Sequence, residues 1–121
     1  MSLTSTHEQI ARIWIAAFNA YDVDGLIALY AEDATHTSPK IRALYPETSG
    51  KLVGKAAIET WWRGAIGRTP GLRYGETAIT ANDVRVVLEY TRYADGQEDM
   101  FVSEAFDICD GRIVASRVFH G

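Results

Sequence analysis

The apolar residues of this chain change their spacing at Leu72. Before it they recur with a helical period, and after it they alternate. Ile10, Ile13, Trp14, Ala17, Phe18 and Tyr21 form one helical stripe, the strongest periodic signal present. Ser5 and Glu8 precede it in the order of a capping box, in which each side chain satisfies a free backbone amide. Asp22 or Asp24 can cap a second, shorter helix whose Leu26, Leu29 and Tyr30 face inward. A third helix is predicted over Lys55–Ile66, with Ile58, Trp61, Trp62, Ala65 and Ile66 on its apolar side, ended by Gly67 and Pro70-Gly71. Strands are predicted over Leu72–Ala81, Val84–Tyr93, Glu98–Cys109 and Arg112–Phe119. Asn82-Asp83, Asp95-Gly96 and Asp110-Gly111 lie between them, and Asp-Gly favours tight hairpins. Helices first and an antiparallel meander after predict an α+β fold, in one domain over residues 1–121.

Between the second and third helices, Ala31–Pro39 reads as a short strand closed by a proline. His36 and Ser38 share the parity of Ala34 on it, so polar groups stand where a core would take apolar ones. Pro39–Gly50, with two prolines and Thr48-Ser49-Gly50, reads as a loop, long enough to act as a lid.

Charge and composition exclude several functions. A net charge of −4 with scattered basic residues is wrong for a nucleic-acid surface, and no polybasic run suits an anionic membrane. No apolar stretch approaches the ~18 residues of a membrane span, and the first residues lack a signal-peptide core. One cysteine, Cys109, leaves no internal disulfide and no multi-cysteine metal site. The expected location is cytoplasmic. Phosphate-loop and dinucleotide fingerprints are missing, since Gly50-x-x-x-Gly54-Lys55 has neither the spacing nor the Ser or Thr of the former.

The last two strands are apolar on both faces: Val114 and Val118 oppose Ile113, Ala115 and Phe119, and Phe101 and Ala105 oppose Val102 and Phe106. Both faces then need a cover. Helices supply one, and a second copy of the chain, in a homodimer packed through the sheet, would supply the other.

The order of these pieces resembles the nuclear transport factor 2-like superfamily, in its SnoaL-like and ketosteroid-isomerase-like branch. The resemblance rests on Ala16-Ala17-Phe18-Asn19-Ala20, Asp22-x-Asp24-Gly25-Leu26, Leu29-Tyr30-Ala31-x-Asp33-Ala34-Thr35, Gly54-Lys55-Ala56-Ala57-Ile58 and Gly111-Arg112-Ile113-Val114. It implies a curved antiparallel sheet wrapped against three helices, a cone with an apolar interior pocket. Ketosteroid isomerase joins an aspartate base to an oxyanion hole of tyrosine and an aspartic acid kept protonated by its apolar site. Carried over by position, the base falls on Ser38, the tyrosine on Trp14, the protonated acid on Glu104 and a supporting tyrosine on Trp62. The base carboxylate is missing and an indole replaces the phenol, so isomerisation by that route is not expected.

Glu104 is the sharpest candidate for chemistry. It alternates with Val102 and Phe106, and burial would raise its pKa and poise it as a donor or general acid. A buried arginine partner is the plainer alternative. His36 lies two residues before the lost base, and the resemblance places His120, Ser116 and Val118 on the pocket wall. Either imidazole can exchange protons near neutrality. Trp14, Phe18, Tyr30, Trp62 and Phe106 are candidates for the wall around a ring-shaped ligand, and Tyr90 for a hydroxyl on it. Arg92, Arg117 and Glu89 read as cross-strand or interface charges. Together these predict a cofactor-free, metal-free acid/base enzyme, of isomerase, cyclase, dehydratase or epoxide-hydrolase type, acting on a compact apolar molecule. The competing expectation is a non-catalytic ligand-binding or dimerisation module.

Overall fold

The opening stripe folds as α1 (Leu3–Asn19), in a computed structural model that describes residues 2–121. Ile10, Ala11, Trp14, Ile15 and Phe18 are buried along one side. Ile13 and Tyr21 are exposed. Ile13 lies on the far side of the helical wheel, and Tyr21 lies beyond the last turn at φ 56° with its hydroxyl donating to the Leu72 carbonyl at 2.8 Å. The helix starts earlier than the capping box required. Ser2 is the N-cap and its Oγ accepts from the Ser5 amide at 3.1 Å, which leaves Ser5 and Glu8 inside the helix. At the same end buried His7 donates from Nδ1 to the Asn82 carbonyl at 2.9 Å, tying the first turns to the sheet.

Asp22, not Asp24, caps α2 (Val23–Ile27), accepting from the Gly25 amide at 3.0 Å. The chain then enters β1 (Tyr30–Thr37). The segment after it corrects the expected loop. Ser38 caps α3 (Pro39–Leu44), a 3-10 turn follows at Pro46–Thr48, and β2 (Lys51–Val53) pairs back on β1. Ser-Pro is a helix start, with the hydroxyl at N-cap and the fixed φ of proline at the first helical position. Buried Ile41 then anchors α3 inward. Gly50 closes the segment at φ 86°, where a Cβ would meet Ser38 O at 3.2 Å and Arg42 Cβ at 3.1 Å.

The next helix, α4 (Lys55–Arg68), runs two residues past its expected end, and β3 (Arg73–Ala81), β4 (Arg85–Tyr93), β5 (Met100–Cys109) and β6 (Arg112–His120) form the meander. The six strands lie in the order β2-β1-β6-β5-β4-β3. The sheet is mixed rather than wholly antiparallel. Three successive hairpins set the direction of β6, and it meets β1 in parallel. α1 lies on β3 and β4 while α4 lies on β1, so the helices cover one face of a curved, unclosed sheet. Among the described residues no helix is long and apolar enough to cross a membrane.

A bulge revises the two-faced pattern. Ile108 pairs with Ile113 and Asp107 with Ala115, so Val114 is the extra residue. The phase resets there, and Ile113 points inward, fully buried, instead of outward with Ala115 and Phe119. The outer face keeps Phe101 and Phe119, exposed at 72% and 55%, beside a charged cluster in which Arg85 and Arg117 share Asp107.

One side chain locks the helix layer to the sheet edge. Asn19 donates from Nδ2 to the Tyr74 carbonyl and accepts at Oδ1 from the Tyr74 amide, both at 2.8 Å. It gives edge strand β3 the partner that no seventh strand supplies. Replacing Asn19 by Ala should cost about 1–3 kcal/mol, two hydrogen bonds' worth, read as a lower denaturant midpoint at unchanged slope.

Candidate functional site

Three aromatic rings fill the interior from the α1 side. Phe18 stacks on Tyr74 with centroids 3.9 Å apart, and Tyr74 stacks on Tyr90 at 4.1 Å. Trp14 packs against Phe18, Tyr74 and Phe106 at 5.6, 6.0 and 5.2 Å. With the depth so filled, a cavity of about 290 Å³ remains at the open end, between α3, α4 and the inner face of the sheet. That is near the lower limit for small-molecule sites.

Tyr90 reaches the cavity, and its hydroxyl donates to Glu104 Oε1 at 2.9 Å. Glu104 lies beneath the surface, fully buried between Leu88 and Val118, with Oε2 unpartnered by any protein group. Among the described residues no arginine pairs with it. Burial pushes its carboxyl up to about 8, against the smaller downward pull of the Tyr90 hydrogen bond. At neutral pH it is mostly uncharged. Burial and the same carboxylate hold Tyr90 well above the ordinary phenol value.

His36 is fully buried on β1 and lines the cavity. Its Nδ1 shares a proton with Ser116 Oγ at 2.6 Å, while Nε2 has no protein partner. Burial drives its pKa down to about 3, so the ring is neutral and presents either a lone pair or an N–H, depending on which of the two groups carries the shared proton. Trp62, whose ring lies 5.2 Å from that of His36, adds an unpartnered Nε1–H on the same wall. Both atoms are closed off from water, so leaving them unpaired costs stability.

The mouth has a different character. Lys40 from α3, Arg68 from α4, Arg92 from β4 and His120 from β6 border it, and no Asp or Glu does. Arg92 is only 6% exposed, and its Nη1 donates to Gln97 Oε1 at 2.8 Å. Burial followed by Arg92 and Arg68 lowers Lys40, and burial followed by Lys40 and Arg92 lowers His120.

Of the residues singled out in the sequence, His36, Ser38, Trp62, Tyr90, Val118 and His120 line this cavity. Ser38 does so with its oxygen engaged, accepting from the Lys40 amide at 3.2 Å as a helix cap. Trp14, Phe18, Tyr30, Phe106 and Ser116 are buried but not on the cavity wall: Trp14 and Phe18 belong to the aromatic packing that fills the depth, and Tyr30, Phe106 and Ser116 are buried beyond the lining. Trp14 spends its indole N–H on the Tyr30 hydroxyl at 3.0 Å. Burial and nearby Glu104 keep that phenol well above its ordinary value. The mouth cations Lys40, Arg68 and Arg92 were missed as site residues. Arg92 carried a signal, since it shares the strand parity of Leu88 and Tyr90. Among the described residues no three His, Cys, Asp or Glu side chains converge as a metal site would require.

A family model described as a SnoaL-like domain matches residues 11–116. No functionally curated protein matches the chain in sequence. Among solved structures, a SnoaL-like protein of unknown function from Burkholderia thailandensis superposes with a TM-score of 0.85 at 29% identity, covering 97% of this chain and 96% of its own. TerC, co-crystallised with polyporic acid, gives a TM-score of 0.82 at 18% identity over 96% and 92% of the two chains. An epoxide hydrolase of LEH-like type from M. tuberculosis gives 0.78 at 20% identity over 98% and 84%.

The two buried titratable groups pull stability in opposite directions. Glu104 keeps a proton that the unfolded chain releases above about 4.5, so its contribution falls as pH rises from there to about 8. His36 refuses a proton that the unfolded chain takes below about 6.5, so stability falls as pH drops from there towards 3. Each effect is on the order of 5 kcal/mol at full extent. Melting temperature followed from about pH 4 to about pH 9 should show both limbs, the alkaline one flattened in Glu104→Gln and the acid one in His36→Asn.

Proposed function

The chain belongs to the SnoaL-like domain family, and on that footing we propose that it is a cofactor-free acid/base enzyme acting on a compact molecule held in the cavity. The observation that carries this reading is the Tyr90–Glu104 hydrogen bond at the cavity floor. Tyr90 is the group that touches substrate, and Glu104 works through it. With Glu104 ionised, a proton passes from substrate to the Tyr90 oxygen as the phenolic proton passes to the carboxylate. With Glu104 neutral the same path runs in reverse: the carboxyl protonates Tyr90, which protonates a substrate oxygen and leaves the carboxylate behind. A pKa of about 8 keeps both forms within reach of neutrality. Neutral His36 and the Trp62 ring supply the wall against which the substrate lies. Isomerisation, cyclisation, dehydration and epoxide opening all fit this proton traffic. The epoxide hydrolase and TerC support it as likenesses of fold alone.

Deuterium exchange into the α-carbons of small cyclic ketones, read by proton NMR, tests the relay. The protein should accelerate exchange with a midpoint near pH 8, and Glu104→Gln and Tyr90→Phe should each lose about 100-fold or more with folding retained. Undiminished exchange in Glu104→Gln would remove the carboxyl from the mechanism. Ligand binding with no exchange in the unaltered protein would favour a binding module, for which the helix-capping role of Ser38 at the base position already speaks.

Our reading includes a homodimer through the outer sheet face, because Phe101 and Phe119 stand exposed there on neighbouring strands. Sedimentation equilibrium should give twice the chain mass at micromolar concentration, and Phe101→Ser with Phe119→Ser should return the monomer.

A further inference from the structure

The cavity mouth carries a charge for which the proton relay has no use. The chain holds 16 acidic residues against 12 basic ones, yet Lys40, Arg68 and Arg92 border the mouth and, among the described residues, no carboxylate does. On the outer face of the same sheet Arg85 and Arg117 are both neutralised by Asp107. Arg92, on the inner face, is more deeply buried than either and is met only by the neutral Gln97. Among the described residues neither Lys40, Arg68 nor Arg92 has a carboxylate within ion-pair distance.

A guanidinium taken out of water without a counter-charge is costly, and like charges gathered beside it raise the cost. Burial, and after it the nearby Arg92 and Arg68, push Lys40 below its ordinary value. Arg68 is held in place with its Cζ 4.8 Å above the Trp61 ring. Such a cluster at the neck of a cavity is complementary to an anion. The rest of the wall includes the flat rings of Trp61, Trp62 and Tyr74 beside apolar Leu72.

Resting on the reading of this cavity as the working site, we propose that its ligand is a compact ring-bodied carboxylate. The carboxylate is held at the mouth by Arg92 and Lys40 with Arg68 above, and the ring lies inward against Trp62 and Tyr74. Arg92 presents a planar fork matched to the two carboxylate oxygens, and Lys40 adds a point charge. The anchor also sets which end of the molecule enters, and so which atoms reach Tyr90.

Titration calorimetry with naphthoate and its uncharged isostere naphthamide tests the assignment. Naphthoate should bind about 10- to 100-fold more tightly than the amide, with an advantage that shrinks as salt rises. Arg92→Gln should remove most of that advantage and leave amide binding unchanged. Lys40→Met, at a less buried position, should remove part of it without the folding risk of altering a buried arginine. Equal affinity for the two probes, equal losses for both in Arg92→Gln, or no binding of either at millimolar concentration would overturn the proposal. Inorganic phosphate matching naphthoate would overturn the ring-bodied part of it. Binding is read without turnover, so the two readings fail separately. Carboxylate preference with no deuterium exchange defeats the catalytic reading alone, and exchange without that preference defeats this one alone.

Discussion

The Tyr90–Glu104 hydrogen bond serves two demands at once. A curved sheet must fill its concave face with large side chains, and a carboxyl buried there must find a donor. Tyr90 does both: its ring ends the Phe18–Tyr74–Tyr90 stack and its hydroxyl meets Glu104. The stack ties α1 to β3 and β4, and Asn19 pins the backbone of the middle ring's residue. The residues that hold the helix layer to the sheet are thus the ones that hold the acid in place, and stability and reactivity share their parts.

Polarity inside the fold is graded from depth to mouth. At depth the polar groups are neutral: a carboxyl raised to about 8, an imidazole lowered to about 3, and phenols held above their ordinary values. At the mouth Lys40, Arg68 and Arg92 are cationic. Glu104 and Arg92 share the inner face of adjacent strands and do not pair. Had they paired, the acid would be ionised and inert as a donor, and the guanidinium quenched as an anchor. Keeping them apart leaves one a proton shuttle and the other a free charge.

Reading and structure agree best where a single element decides its own conformation. The α1 stripe, the Asp-Gly hairpins and the parity of Glu104 need only local geometry, so period and turn chemistry revealed them. α3 is the exception: its Ser-Pro start is also local, but the turn-forming residues after it make the segment read as a loop. Ile113 is a subtler case, since alternation holds only until a bulge resets the phase, and a bulge is settled by how two strands register.

By itself the sequence determined an α+β chain, with helices to cover one face of a meander and an acid, one histidine (His36) and a tryptophan-rich helix directed inward. Periodicity and side-chain type settle those features, and they act over a few residues. Only the tertiary structure decided which inward groups meet a ligand. Aromatic packing at depth left Trp14, Phe18, Tyr30, Phe106 and Ser116 off the cavity wall, and it left Glu104 reachable through Tyr90 alone. Lys40, Arg68 and Arg92, far apart in the chain, became one charged mouth because β6 closes beside β1 and brings the helix that follows β1 over the sheet. Charge is a local property of a residue; whether it is neutralised depends on neighbours that only the fold provides.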